Sequence, residues 1–137
     1  MNREFSNPGG EGGKILIIDD SLIIREMLQE ILSEEGYLVD AADNGETGTR
    51  MALDNDYDMI ICDVLMPRMN GLETVREVIQ AKPTSKIVLT DSFPDKLAKQ
   101  AREEGAITCL QKPFDVNELR RIIRQTIAGE VIRSGQK

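Results

Sequence analysis

Residues 58–71 read DMIICDVLMPRMNG, a short apolar run that ends on a carboxylate and opens into a turn. Met59-Ile60-Ile61-Cys62 lacks the alternation of a half-exposed strand, so it reads as a strand buried on both faces that delivers Asp63 to its carboxyl end. Pro67 and the turn pair Asn70-Gly71 follow, and then Leu72, Val75 and Ile79 recur at helical spacing. In open parallel sheets, ligands and chemistry gather at the carboxyl ends of the strands.

The same alternation extends in both directions. Ile15-Leu16-Ile17-Ile18 is a buried strand running into Asp19-Asp20-Ser21, followed by Ile24, Met27, Leu28, Ile31 and Leu32 on one helical face up to Gly36. Residues 37–41 form a second strand, and Asn44-Gly45 opens a helix with Met51 and Leu53. The helix after Asn70-Gly71 stops near Lys82-Pro83. Residues 86–90 (KIVLT) and 107–110 (ITCL) are the fourth and fifth strands, with a helix carrying Leu97, Ala98 and Ala101 between them. The last helix starts at Asp115, with Glu118 placed for a capping box and Val116, Leu119, Ile122, Ile123 and Ile127 on one face. Five strands alternating with five helices predict an α/β fold, a parallel sheet covered on both sides. Residues 1–13 read as a disordered arm, 14–128 as one domain and 129–137 as a frayed tail.

The 137 residues suit a single core. No apolar run approaches the roughly 20 residues of a membrane span, and the N-terminus lacks the order of a signal peptide, so a cytoplasmic protein without membrane contact is expected. A net charge of -7 argues against a nucleic-acid partner. Histidine is absent, which excludes a His-dependent triad and assigns any phosphohistidine to a partner. Cys62 and Cys109 form no metal-ligand pattern and read as core hydrophobes. Gly13-Lys14 is no P-loop, because Ile15 stands where Ser or Thr is required and a strand follows instead of preceding.

The polar residues at the strand ends are Asp19, Asp20, Asp63, Thr90 and Lys112. Three neighbouring carboxylates repel one another unless a cation intervenes, and Lys112 offsets only one. A hard divalent cation such as Mg2+ fits this oxygen set. A phosphoryl group bound there would meet Asp63 as nucleophile, with Lys112 offsetting oxygen charge and the Thr90 hydroxyl within reach. The plainer readings are a helix cap for Asp19-Asp20-Ser21, a solvated carboxylate for Asp63, a strand residue for Thr90 and a turn charge for Lys112. Met66 and Met69 read as filling a groove beside the first helix.

At these residues the sequence resembles the response-regulator receiver domain of two-component systems, over residues 14–128. The resemblance rests on IIDDS after the first strand, CDVLMPRMNG at the third, LT at the fourth and QKPF after the fifth. It implies the doubly wound, flavodoxin-like sheet of order 2-1-3-4-5, an order the chemotaxis receiver exemplifies. It further implies that Asp63 is the phosphoacceptor and that Asp20, Asp63 and the Leu65 carbonyl ligate Mg2+, with Asp19 acting through water. Lys112 would pair with the phosphoryl group and precede a cis bond to Pro113, and Thr90 would move on phosphorylation. In that strand order Cys62 and Cys109 stand two strand spacings apart, roughly 9 to 10 Å, too far for a disulfide.

Four positions bear on how closely the chain follows the family pattern. Asp91 replaces a very small residue, and its carboxylate is expected to hinder the phosphoryl donor, strengthen cation binding or point into solvent, the last being favoured. Cys109 stands where receivers carry Tyr or Phe, so a ring cannot swing inward there. Leu65 and Ser92 supply no side chain to orient an attacking water, which predicts a slowly lost phosphoryl group.

The resemblance implies a receiver that takes a phosphoryl group from a histidine kinase or a histidine phosphotransfer protein and signals through a protein-binding surface. It promotes only its own modification and is otherwise no enzyme. A monomer is expected, with dimerisation on phosphorylation left open, either as a stand-alone protein or as part of a longer regulator. The alternative is a receiver-fold scaffold that works without phosphorylation. An aspartyl phosphatase needs an acid two residues after the nucleophile, and Leu65 stands there. Lys96, Lys99, Arg102, Arg120 and Arg124 place a basic face on the fourth and fifth helices, read as solvated.

Overall fold

The computed structural model describes residues 13–129. The arm and tail expected at either end lie outside them, apart from Gly13 and Gly129. Gly13 is buried and its carbonyl accepts the Leu38 N–H at 2.9 Å. The elements in order are β1 (Lys14–Ile18), α1 (Leu22–Glu34), β2 (Leu38–Ala42), α2 (Gly45–Asp54), β3 (Met59–Asp63), α3 (Gly71–Ala81), β4 (Ile87–Asp91), α4 (Lys96–Glu103), β5 (Thr108–Gln111) and α5 (Val116–Ala128). All strand pairs are parallel, in the order β2-β1-β3-β4-β5. The α/β alternation and the strand order both agree with expectation. Strands 2, 4 and 5 sit one residue later than the apolar runs alone suggest, within the usual uncertainty of element ends.

Side-chain alternation along the central strands divides the core in two. Ile15, Ile17, Met59, Ile61 and Val88 pack with Leu28 and Leu32 of α1 and with Leu119, Ile122 and Ile123 of α5. Leu16, Ile18, Ile60, Cys62, Ile87 and Leu89 face Ala52 of α2, Leu72, Val75 and Val78 of α3, and Ala98 and Ala101 of α4. Strands β1 and β3 bury apolar side chains on both faces, which is why their sequences are continuous apolar runs.

Helix ends are set by local chemistry. Ser21, Asn44, Asn70, Asp95 and Asp115 are N-caps whose side chains accept backbone N–H groups. A reciprocal capping box joins Asn70 and Glu73, at 3.0 and 2.9 Å. At α5 only half of the expected box is present. Asp115 accepts from Asn117 and Glu118 at 2.9 and 3.2 Å, whereas the Glu118 carboxylate turns toward Arg121 at 3.8 Å. An i,i+3 cation competes for the carboxylate there.

Two placements differ from the sequence reading. Met66 packs on the α2–α3–α4 side, and the Met69 sulfur accepts the Thr49 hydroxyl of α2 at 3.6 Å, so neither lies beside α1. The loop leaves β3 toward the face that α3 covers, and the methionines go with it. Arg120 and Arg124 of α5 reach Glu35 at the end of α1, at 3.1 and 2.8 Å, and do not join the α4 cations in one basic face. A carboxylate beside a helix C-terminus is unfavourable alone, and the two guanidinium groups offset it.

Candidate functional site

Parallel pairing places the ends of β1, β3, β4 and β5 along one edge. Ile18 is the register partner of Cys62, so the chain after β1 emerges beside Asp63. Asp63 is in turn the partner of Thr90, and Thr90 of Leu110. Oxygen atoms of Asp19, Asp20 and Asp63 all lie within 4.8 Å of one another. Asp19 and Asp63 are buried while Asp20 is exposed. Lys112 reaches over from β5, its ammonium 2.9 Å from Asp19 Oδ2 and 3.4 Å from Asp63 Oδ1. The Lys112–Pro113 bond is cis. The Lys112 backbone N–H donates to the Asp91 carbonyl at 2.8 Å, which ties the turn after β5 to the end of β4.

The helix-cap reading of residues 19–21 holds together with the cluster. The Ser21 hydroxyl accepts the Ile24 N–H at 3.3 Å, and Asp19 Oδ1 accepts the Ser21 N–H at 2.9 Å. One Asp19 oxygen thus shapes the turn and the other meets Lys112.

Electrostatics follow from burial and crowding. Burial, and then the charge of Asp19, push the Asp63 carboxyl up to about 6, against the opposing pull of Lys112. Burial disfavours the Lys112 ammonium, but its bond to Asp19 and the charges of Asp63 and Asp19 outweigh this and hold it above the ordinary lysine value. The three carboxylates therefore carry more negative charge than the one ammonium offsets. That excess, from hard oxygen donors on convergent backbones, suits a divalent cation of the Mg2+ type. Asp19, Asp20 and Asp63 would hold it, and the exposed Leu65 lies two residues beyond Asp63 to offer its carbonyl. Thr90 is 1% exposed, and its hydroxyl has no hydrogen-bond partner among the described residues. A buried, unpaired hydroxyl beside Asp63 is costly unless a ligand oxygen can meet it.

The β3–α3 loop is held by close backbone approach. A Cβ on Gly71 would come within 2.8 Å of the Asp63 carbonyl oxygen, and one on Gly45 within 2.0 Å of the Met69 carbonyl oxygen. Arg68 adopts a left-handed φ of 72° between them.

Asp91 does not point into solvent. It is 2% exposed, and its Oδ1 accepts the Phe93 N–H at 3.3 Å. Alternation along β4 sends it to the face opposite Thr90, and it is no member of the three-carboxylate cluster. Cys109 is half-buried and lines a cavity of about 270 Å³ with Pro94, Asp95, Ala98, Lys99 and Arg102. The thiol thus leaves open space between α4 and β5. Sequence reasoning missed Arg25, whose guanidinium reaches the Asp19 carbonyl at 2.9 Å. A cation so near a helix N-terminus opposes the macrodipole, and that is the signal that could have found it.

Residues 15–124 match the family model of the response regulator receiver domain. The transcriptional regulatory protein HprR of Escherichia coli is 39% identical over 108 residues, which cover 77% of this chain and 48% of HprR. The chain spans about half the length of the curated relatives it matches. Among solved structures, response regulator TrrA of Thermotoga maritima, in complex with Mg2+-BeF, is 33% identical with a TM-score of 0.78, covering 83% of this chain and 98% of that one. The receiver domain of a Pseudomonas aeruginosa sensor histidine kinase, with magnesium in its active-site cleft, is 25% identical with a TM-score of 0.79, covering 85% and 98%. With the family model matched from the second residue of β1 through β5 and into the last helix, the chain belongs to the response regulator receiver domain family.

Proposed function

We propose that this receiver domain accepts a phosphoryl group on Asp63 from a phosphohistidine of a partner kinase or phosphotransfer protein, with Mg2+ as cofactor. The observation that carries the reading is the placement of Asp63 within 4.8 Å of Asp19 and Asp20 and 3.4 Å from the Lys112 ammonium. An Asp63 carboxylate oxygen forms the new P–O bond as the P–N bond to the donor imidazole breaks, and the nitrogen that receives the bonding pair takes a proton from solvent, so that the imidazole leaves neutral. Lys112 stands where it offsets charge on the transferred oxygens, and Thr90 has a free hydroxyl to meet one of them. The cation, when bound, neutralises phosphoryl charge.

Residues 1–137 contain no histidine, so the donor imidazole comes from outside this domain. Leu22, Ile23, Leu65 and Phe93, exposed by 57, 76, 60 and 81%, lie on the loops and first helical turn beside the site and offer a protein donor apolar contact. Phosphorylation biases the balance between two arrangements of a protein-binding surface. No turnover of an external substrate is assigned, and the proposed setting is the cytoplasm. No described helix is long and apolar enough to cross a membrane.

The test is intact mass after incubation with acetyl phosphate, with and without Mg2+, beside Asp63→Asn. Gain of one phosphoryl group that requires both Mg2+ and Asp63 is the expected outcome. Absence of any gain would favour a scaffold that works without phosphorylation.

A further inference from the structure

We propose that Arg25 is a positioning residue of the acid cluster, fixing the Asp19–Asp20 peptide plane and thereby the direction in which the Asp20 carboxylate leaves the backbone. The proposal rests on the phosphoacceptor reading above and adds to it a residue outside the carboxylates, Lys112 and Thr90.

Every polar atom of Asp19 is engaged. Its N–H donates to the Ala42 carbonyl at 3.1 Å, Oδ1 accepts from Ser21 at 2.9 Å and Oδ2 meets Lys112 at 2.9 Å. Its carbonyl accepts from Arg25 Nη1 at 2.9 Å. That last bond is the one that orients the following peptide unit, because carbonyl and next N–H share a plane. Asp20 begins on that unit, is exposed, and its carboxylate takes no hydrogen bond among the described residues. Its aim toward Asp63 therefore depends on its backbone. Arg25 lies in the opening turns of α1, where a cation is disfavoured by the helix dipole, and the partly buried bond to Asp19 accounts for its place.

Charge and position make opposite predictions. Removing a cation beside three carboxylates, taken alone, tightens binding of a divalent cation. Loosening the peptide plane weakens it. The experiment measures Mg2+ binding to the full chain directly, by titration calorimetry, for wild type, Arg25→Ala and Arg25→Lys, beside Asp63 phosphorylation by acetyl phosphate followed by intact mass across the same Mg2+ series.

The expected result is a rise of about five- to tenfold in half-saturating Mg2+ for Arg25→Ala, the size of one net hydrogen bond of about 1 kcal/mol. That is less than the whole Arg25–Asp19 bond, because the effect reaches the cation only through Asp20. Arg25→Lys, with a donor of similar reach, recovers most of the loss. An unchanged or lower half-saturating Mg2+ in Arg25→Ala overturns the proposal. So does a fallen plateau at an unchanged midpoint, the mark of general structural damage, or a Lys variant no better than Ala. Wild type that gains no phosphoryl group with Mg2+ sinks the phosphoacceptor reading and this inference together. A normal wild type beside an identical Ala variant sinks this inference alone.

Discussion

Asp63 and Thr90 are register partners on β3 and β4, so a carboxylate and an unpaired buried hydroxyl stand side by side at one sheet edge. The hydroxyl costs stability while nothing meets it. Thr90→Val, which keeps shape and removes the polar atom, is expected to stabilise the unphosphorylated protein by about 1 kcal/mol in urea denaturation with EDTA. A loss of similar size would mean that the hydroxyl has a partner. The same variant should lose part of whatever stabilisation phosphorylation confers.

The raised Asp63 carboxyl sets a sign for pH. Its pKa moves from 3.8 to about 6 on folding, so the folded state binds the proton more tightly. The stability this group contributes is fully present below about pH 4 and is lost as pH rises through about 6, so relative to a side chain that stays neutral the ionised carboxylate is the less stable one above that range. Asp63→Asn should therefore be more stable than wild type at pH 7.5 without Mg2+, by on the order of 1–2 kcal/mol after allowance for solvent screening. The difference should shrink to nothing near pH 4. Equal differences at both values would show that the carboxylate pays no such penalty.

Lys112 is the cluster's own counter-charge. Lys112→Met leaves Asp19 and Asp63 uncompensated, with an expected loss on the order of 2 kcal/mol without divalent cation, allowing for partial exposure. Added Mg2+ should stabilise this variant more than it does wild type, because the cation then supplies the only compensation. Thermal melts with and without Mg2+ read both effects, and parallel shifts in the two proteins would contradict the coupling.

The two thiols should differ. Cys62 is the register partner of Leu89, and Leu89 of Cys109, so a whole strand separates them and no disulfide should form on oxidation. Cys62 is fully buried, and its thiol is pushed far up by burial and the charge of Asp63. Cys109 is half-buried and pushed up to about 11, first by burial and then by Asp91. A thiol-exchange reagent should titrate one cysteine in the folded protein, faster as pH rises, and two after denaturation. An intramolecular disulfide would break the strand register.

The α/β alternation was legible in residues 14–128 because β1 and β3 are buried on both faces and so carry unbroken apolar runs, while α1, α3, α4 and α5 each show one apolar stripe. Helix α2 buries Gly45, Gly48, Thr49 and Ala52 and leaves Leu53 exposed. The placement of the candidate residues was legible for a related reason, since polar residues that end such runs must lie at one edge of a parallel sheet. Asp19, Asp20, Asp63, Thr90 and Lys112 all do.

What the chain pattern by itself could not decide was direction and partner. Alternation in β4 turned Asp91 away from the cluster, but its carboxylate is buried on the Phe93 N–H, whereas its position after Thr90 reads as solvent-facing. Arg120 and Arg124 share a helical spacing that reads as a free basic face, and only the packing of α5 beside α1 gave them Glu35. Arg25 reads as an ordinary helix charge until the turn of β1 into α1 brings the Asp19 carbonyl to its guanidinium. Periodicity records which residues are buried, because burial is a property of each element's face. Which charge meets which depends on how separate elements are packed, and that is decided only when the sheet and its two helical layers come together.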